Sequence, residues 1–182
     1  IASLAGTVVI LALSTFIVKL ASKIGKKELS MIGCFISAAS FILLFIIHTH
    51  NVWVWVGLII VATIGTSMFN MVIWAMITDV IDDSEVRTGV RQDGTIYSVY
   101  SFARKLGQAC SSGLSGVLLS IIGYTSVTAF DPKVVDGIYN ITCLVPAGGM
   151  ILLLLALWFL YPLNKKRVEE NAEKLRIKRN EK

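Results

Sequence analysis

An arginine and a lysine stand side by side at positions 104 and 105, inside a stretch (YSVYSFARKLGQACSSG, residues 97–113) that otherwise reads as membrane helix. Tyr97, Ser101, Lys105, Gln108 and Ser112 follow one another at spacings of 4, 4, 3 and 4. A helix turns once in about 3.6 residues, so these five make one polar stripe. A lysine at membrane depth costs about 2.5–3.5 kcal/mol on the milder insertion scale, and such residues usually face a water-filled cavity on an ion or solute path. The chemistry on offer is that of a buried positive charge taking part in such a path. The plainer alternative is a structural ion pair with a carboxylate on another helix. Arg104 is turned about 100° from Lys105 and cannot share its face; the sequence alone gives it no role.

A second stripe holds Thr63, Ser67, Asn70 and Trp74, with Thr66 beside it. An indole can cover the apolar face of a pyranose while amides and hydroxyls take the ring's hydroxyl groups. The same Ser, Thr and Asn residues serve equally well for hydrogen bonds between helices, and the two readings stand level here. Between the stripes runs TDVIDDSEVRTGVRQDG, where Asp79, Asp82, Asp83, Glu85 and Asp93 alternate with Arg87 and Arg91. That alternation suggests a salt-bridge cluster able to hold helix ends together and release them.

The elements that position these residues follow from composition. The 182 residues are 55% hydrophobic and only 16% charged, with a mean hydropathy of +0.73. Runs of about 20 apolar residues are long enough to cross a bilayer core, so an all-α polytopic membrane protein is expected. Five spans are read, over about 1–20, 30–48, 52–80, 94–123 and 137–161. Ala109, Gly113, Gly116 and Ser120 offer a neighbouring helix a close approach to the fourth. Lys19, Lys23, Lys26 and Lys27, then Arg87 and Arg91, then the tail after Tyr161 carry nearly all the basic charge, whereas Lys133 alone lies in the fourth-to-fifth loop. Positive loops stay inside, which predicts a multi-pass protein of the cell membrane with a cytoplasmic C-terminus. Residues 1–161 form the membrane bundle, and 162–182 a basic helical tail solvated beside anionic lipid headgroups. The net charge of +5 is thereby accounted for without nucleic acid. Cys34, Cys110 and Cys143 sit singly, without metal or redox spacing, and are expected to be buried and inert. The chain opens inside an apolar run at Ile1, so it is expected to be part of a longer protein.

Several stretches together resemble the glycoside–pentoside–hexuronide:cation symporters, the family of the melibiose carrier within the major facilitator superfamily. MITDVIDDSEVRTGVRQDGTIYSVYSFARKLGQA is similar to that family's helix 10–11 region, and KIGKKELSMIG to its basic turn between helices 8 and 9. IIGY, DGIY and VP followed by FLYPLNKKR are similar to its last loop, last helix and tail. The resemblance implies twelve helices in two bundles, of which the five spans here match helices 8–12, with the N-terminal bundle lying outside this chain. It implies a cation-coupled (Na+ or H+) sugar or glycoside symporter and no enzyme. The cation would be bound mainly by the missing bundle, and neither a cofactor nor a metal would be held here.

Residue by residue, Lys105 matches the lysine needed for sugar and cation transport, and Ser101 a position close to the sugar. Asn70 matches a position that is aromatic in the melibiose carrier, with Trp74 one turn away. Tyr97, Gln108 and Ser67 complete the expected substrate-binding and coupling set, while Asp79, Asp82, Glu85, Arg91 and Asp93 match a cytoplasmic gate. The partners are then the sugar, membrane lipid and the missing bundle. Two rivals stand beside this reading: a major facilitator carrier of a lipid, drug or other non-sugar solute, and a Mg2+-dependent intramembrane prenyltransferase, whose Asp-rich motifs D-x-x-D-D resembles.

Overall fold

The computed structural model describes residues 16–49 and 51–180. Helix α1 is described over 16–24 and is followed by α2 (Lys26–Ile47), α3 (Val52–Thr88), α4 (Asp93–Ile121), α5 (Pro132–Phe159) and α6 (Lys165–Asn180). The described residues contain no strand. Local chemistry sets the breaks. Gly25, at φ 120°, separates α1 from α2 in a conformation that a side chain would strain. Asn51 caps α3 by accepting the Trp53 N–H at 2.9 Å, and Pro132 opens α5 where its missing N–H costs nothing.

Helix α3 runs further than its apolar pattern suggested. A span ending near Val80 was expected, yet the helix continues for two more turns to Thr88 and stops at Gly89, φ 78°. Residues 81–88 contain no glycine or proline, so nothing before Gly89 breaks the ladder. Asp82, Asp83 and Glu85 therefore lie on a helix and not in a loop.

Helix α2 packs against both α3 and α5, and the buried cluster of Ile17, Leu29, Cys34, Val72, Met76 and Leu157 ties α1, α2, α3 and α5 into one core. The α2–α3 crossing is a glycine contact. A Cβ on Gly33 would come within 2.5 Å of the Gly65 carbonyl oxygen, and one on Gly65 within 2.5 Å of that of Gly33. Ser37 and Thr66 share a hydrogen bond of 3.0 Å beside it. Small residues that let two backbones touch are the usual means of holding helices together in lipid.

Three of the described helices, α2, α3 and α5, are long and apolar enough to cross a membrane. Of the expected span over 1–20, residues 1–15 lie outside the described part. Helix α4 has 29 residues, sufficient length, but its polar stripe keeps it out of that set. No residue of α4 is buried, and Gly113 and Gly116 have open space over them, so no described helix uses their small-residue face. Bulky apolar side chains such as Phe35, Ile46, Leu152 and Phe159 point outward, which suits a surface covered by lipid tails.

Two expectations are corrected. Cys34 and Cys143 are buried, but Cys110 is exposed, because it belongs to α4, which packs little of its surface. The tail is not simply solvated: α6 docks on α3, with Asn171 and Leu175 buried. A buried carboxylate on α3 draws it there.

Candidate functional site

The basic and acidic segments gather at one end of the bundle. Arg91, in the turn between α3 and α4, donates from Nε to Asp93 at 2.8 Å and from Nη1 to Asp82 at 2.8 Å and Glu85 at 3.0 Å. A guanidinium presents its donors in a planar fork suited to such convergence. The three carboxylates, Asp93 foremost, raise the already high pKa of Arg91. Four of the five gate residues read from the sequence are thus brought together. The fifth, Asp79, lies apart and is buried, accepting from Lys26 Nζ of α2 at 2.6 Å.

Asp83, left out of that gate set, is the acidic residue most enclosed by partners. Its carboxylate accepts from Arg167 Nε at 3.1 Å and from Asn171 Nδ2 at 2.8 Å, both on α6. Arg179 of the same helix reaches Glu85 at 3.5 Å. The spacing of Arg167 and Asn171, one turn apart in an otherwise charged tail, is the signal that sequence reasoning passed over. Nearby, Lys27 donates to the Tyr161 carbonyl at 2.6 Å and the Tyr161 hydroxyl to that of Met76 at 3.3 Å. Burial, and after it the charges of Asp79, Asp83 and Glu28, push the Tyr161 phenol up from its ordinary pKa. One end of the bundle is therefore laced by ion pairs and hydrogen bonds reaching α2, α3, α4, α6 and the segment that follows α5.

Further along, α3 and α4 face each other across a cleft of about 560 Å³, lined by Asn70, Ile73, Trp74, Tyr100, Ala103 and Arg104 among others. That volume is within the range of small-molecule sites. Trp74 is its centre: Tyr100 meets it edge-on at 5.3 Å, Tyr97 lies tilted at 6.3 Å, and the Arg104 guanidinium carbon sits 5.7 Å over the indole. Aromatic pairs and a cation over a ring each contribute about 0.5–1.5 kcal/mol.

The predicted site residues divide accordingly. Asn70 and Trp74 line the cleft, and Tyr97 touches Trp74. Ser101, Lys105 and Gln108 stand on the open surface of α4, and among the described residues no carboxylate pairs with Lys105. Ser67 is buried, its hydroxyl donating to the Thr63 carbonyl at 2.7 Å, and it does not line the cleft. Thr66 is turned to Ser37. The stripe on α3 therefore divides, Thr66 bonding to α2 while Asn70 and Trp74 face α4. The α4 residues that turn toward α3 are Tyr97, Tyr100 and Arg104, spaced 3 and 4 apart; Tyr100 and Arg104 were not in the expected set.

Residues 1–165 match the profile of the family described as MFS/sugar transport protein. The chain belongs to that family. It is 33% identical over 168 residues to the glucuronide carrier protein homolog of Escherichia coli (strain K12), covering 92% of this chain and 36% of that protein. It is 36% identical over 163 residues to the uncharacterized symporter YjmB of Bacillus subtilis (strain 168), covering 90% and 35% respectively. A second Bacillus subtilis relative, the uncharacterized symporter YnaJ, is 28% identical over 172 residues, covering 94% and 37%. The chain spans about a third of the length of these relatives. Membership makes this a multi-spanning membrane protein of a transporter family, not an enzyme, and the prenyltransferase reading falls. Within this MFS chain, the carboxylates that resembled an Asp-rich metal motif are held instead by Lys26, Arg91 and Arg167.

Proposed function

We propose that the chain is the C-terminal membrane bundle (1–161) and cytoplasmic tail (162–182) of a sugar or glycoside symporter driven by Na+ or H+, working by alternating access in the cell membrane. Its spans correspond to helices 8–12 of a twelve-helix carrier, with α4 crossing the membrane against the N-terminal bundle. The observation that carries this reading is family membership over residues 1–165. Relatives named as a glucuronide carrier homolog and as symporters support it.

The physical logic is that sugar binds near the midplane between two bundles, which then rock about it. The α3–α4 cleft with Asn70 and Trp74 is this half's contribution to the site. The stripe of Tyr97, Ser101, Lys105 and Gln108 faces the other bundle, where the ammonium of Lys105 pairs with a cation-binding carboxylate when the cation is absent. An open α4 surface, with no carboxylate near Lys105 among the described residues, is what such a split interface requires. Ser67 supports the cleft from behind. The Arg91 network with Asp82, Glu85 and Asp93, together with Asp79–Lys26, holds the cytoplasmic mouth shut while the outside is open.

The test is uptake of labelled sugars by cells expressing the intact carrier, with and without an imposed Na+ or proton gradient. Gradient-dependent accumulation is expected, and Lys105→Ala should abolish it. Accumulation of a lipid or drug but of no sugar, or near-normal uptake against a gradient by the Lys105 variant, would sink the assignment.

A further inference from the structure

The arginines at the charged end of the bundle are held by carboxylates. Arg87 and Arg167 pair with Asp83, Arg91 with Asp82, Glu85 and Asp93, and Arg179 with Glu85. Arg104 is held differently. Among the described residues no carboxylate reaches it, and its guanidinium carbon lies 5.7 Å over the face of Trp74. Two more side chains of α4 close around the same indole, Tyr100 edge-on at 5.3 Å and Tyr97 tilted at 6.3 Å.

The covered ring is the surface that a sugar needs. A guanidinium is planar and stacks flat on an aromatic face, as the apolar face of a pyranose does, so the two compete for one side of the indole. Trp74 and Arg104 both line the cleft of about 560 Å³, with Asn70 and Ile73 beside them. That cleft has room for a solute next to the ring and for the arginine side chain once it has swung aside. A displaced guanidinium keeps its charge and needs water around it, which an open cleft admits.

The contact also helps to attach a helix. No residue of α4 is buried, and α4 meets α3 through the Arg91 turn at one end and through the rings and the guanidinium around Trp74 further along. Whatever lifts Arg104 from the ring therefore weakens the grip of α4 on α3.

We infer that Arg104 is an internal stand-in for the substrate: it covers Trp74 while the cleft is empty, is pushed off the ring by the entering sugar, and in leaving loosens α4 from α3. This rests on the sugar-symport reading and adds the step by which filling the cleft frees a helix to move. A cation on an aromatic face shifts an equilibrium by roughly 2- to 30-fold, enough to keep the ring covered and little enough for a solute to overcome. Lys105, about 100° around the helix, takes no part in the exchange.

The experiment uses phenylglyoxal, which attacks accessible guanidinium groups, on the intact carrier in membranes, with modification at Arg104 read by peptide mass mapping. In the empty carrier, Trp74→Leu should speed the reaction at Arg104 by roughly 2- to 30-fold, because the ring no longer holds the side chain. In the unsubstituted carrier a saturating sugar should speed it likewise. The probes are methyl glucoside and methyl glucuronide, together with any sugar that the uptake panel shows to be accumulated. Titration calorimetry on the purified carrier should show that sugar binding tightens by the same factor in Arg104→Gln, which places no charge on the ring. Arg104→Lys, which still does, should change it little. A transported sugar that slows the reaction at Arg104 or leaves its rate unchanged would overturn the inference, as would weaker binding in Arg104→Gln; both leave sugar symport standing. An unchanged rate in Trp74→Leu would overturn it without any sugar, since the ring would then not be what holds the arginine. Should no sugar respond to a cation gradient at all, the transport reading fails and this inference with it.

Discussion

Replacing Asp83 by alanine should release helix α6 from α3. The Asp83 side chain is 11% exposed and accepts from Arg167 and Asn171. Bonds to a charged group contribute about 1.5–3 kcal/mol each when sheltered. Arg167 is 41% exposed, so solvent screening reduces its share to about 1 kcal/mol or less. Asn171 is buried, and leaving its amide without an acceptor costs about 1–2 kcal/mol. Together these give roughly 2–3 kcal/mol, or a shift of about 30- to 150-fold in the ratio of docked to undocked helix. Leu175, buried on the same face, reports the change. A cysteine at position 175, in a background whose native cysteines are serine, reacts with an impermeant maleimide only when α6 lifts away. When lifting and redocking are fast, the labelling rate follows the open population. Asp83→Ala should raise that rate at least tenfold. A rise of less than about threefold would show that Leu175 and its apolar neighbours hold the helix without the carboxylate, and the electrostatic account of docking would be wrong.

Two further outcomes follow from packing. Gly65→Ala places a methyl against the Gly33 carbonyl and should cost about 1–3 kcal/mol as overpacking, seen as a lower melting temperature in detergent. Gly57→Ala on the same helix meets nothing within 4 Å and should be neutral or stabilise by about 0.5–1 kcal/mol; equal effects at the two sites would refute the crossing geometry. In the detergent-solubilised chain, Cys110 should react with a small maleimide well before Cys34 and Cys143, with mass spectrometry of a time course as the check.

The sequence was a good guide wherever one helix's own pattern decided the matter. Apolar runs located α2, α3 and α5, and basic residues marked the segments that gather at one end. It was a poorer guide where the answer lay between helices. Periodicity ranks the residues of α4 by angle around its axis but does not say which angle meets α3. The stripe containing Lys105 was read as facing the cavity, a reading on which the α3–α4 contact does not bear. Of that stripe only Tyr97 reaches Trp74, while Tyr100 and Arg104 supply the rest of the contact. Asp82 and Asp83 are neighbours with the same chemistry, and only the fold separates them, one to Arg91 and the other to the tail. The overrun of α3 could have been read, since no breaker stands before Gly89; hydropathy hid it because the last turns are charged.

Helix α3 contains neither glycine nor proline between Gly65 and Gly89, and at 37 residues it is about 55 Å long. It can therefore act as a stiff lever with its fulcrum at the Gly33–Gly65 crossing. Trp74 lies about 13 Å from that point and Glu85 about 30 Å. A tilt of about 10° moves the cleft end by about 2 Å and the charged end by about 5 Å. The first is a small adjustment around a solute; the second exceeds the reach of a hydrogen bond. A modest closure at Trp74 is thus geared up into a larger shift of Asp83 and Glu85 against Arg167 and Arg179 of α6, with no joint needed between them.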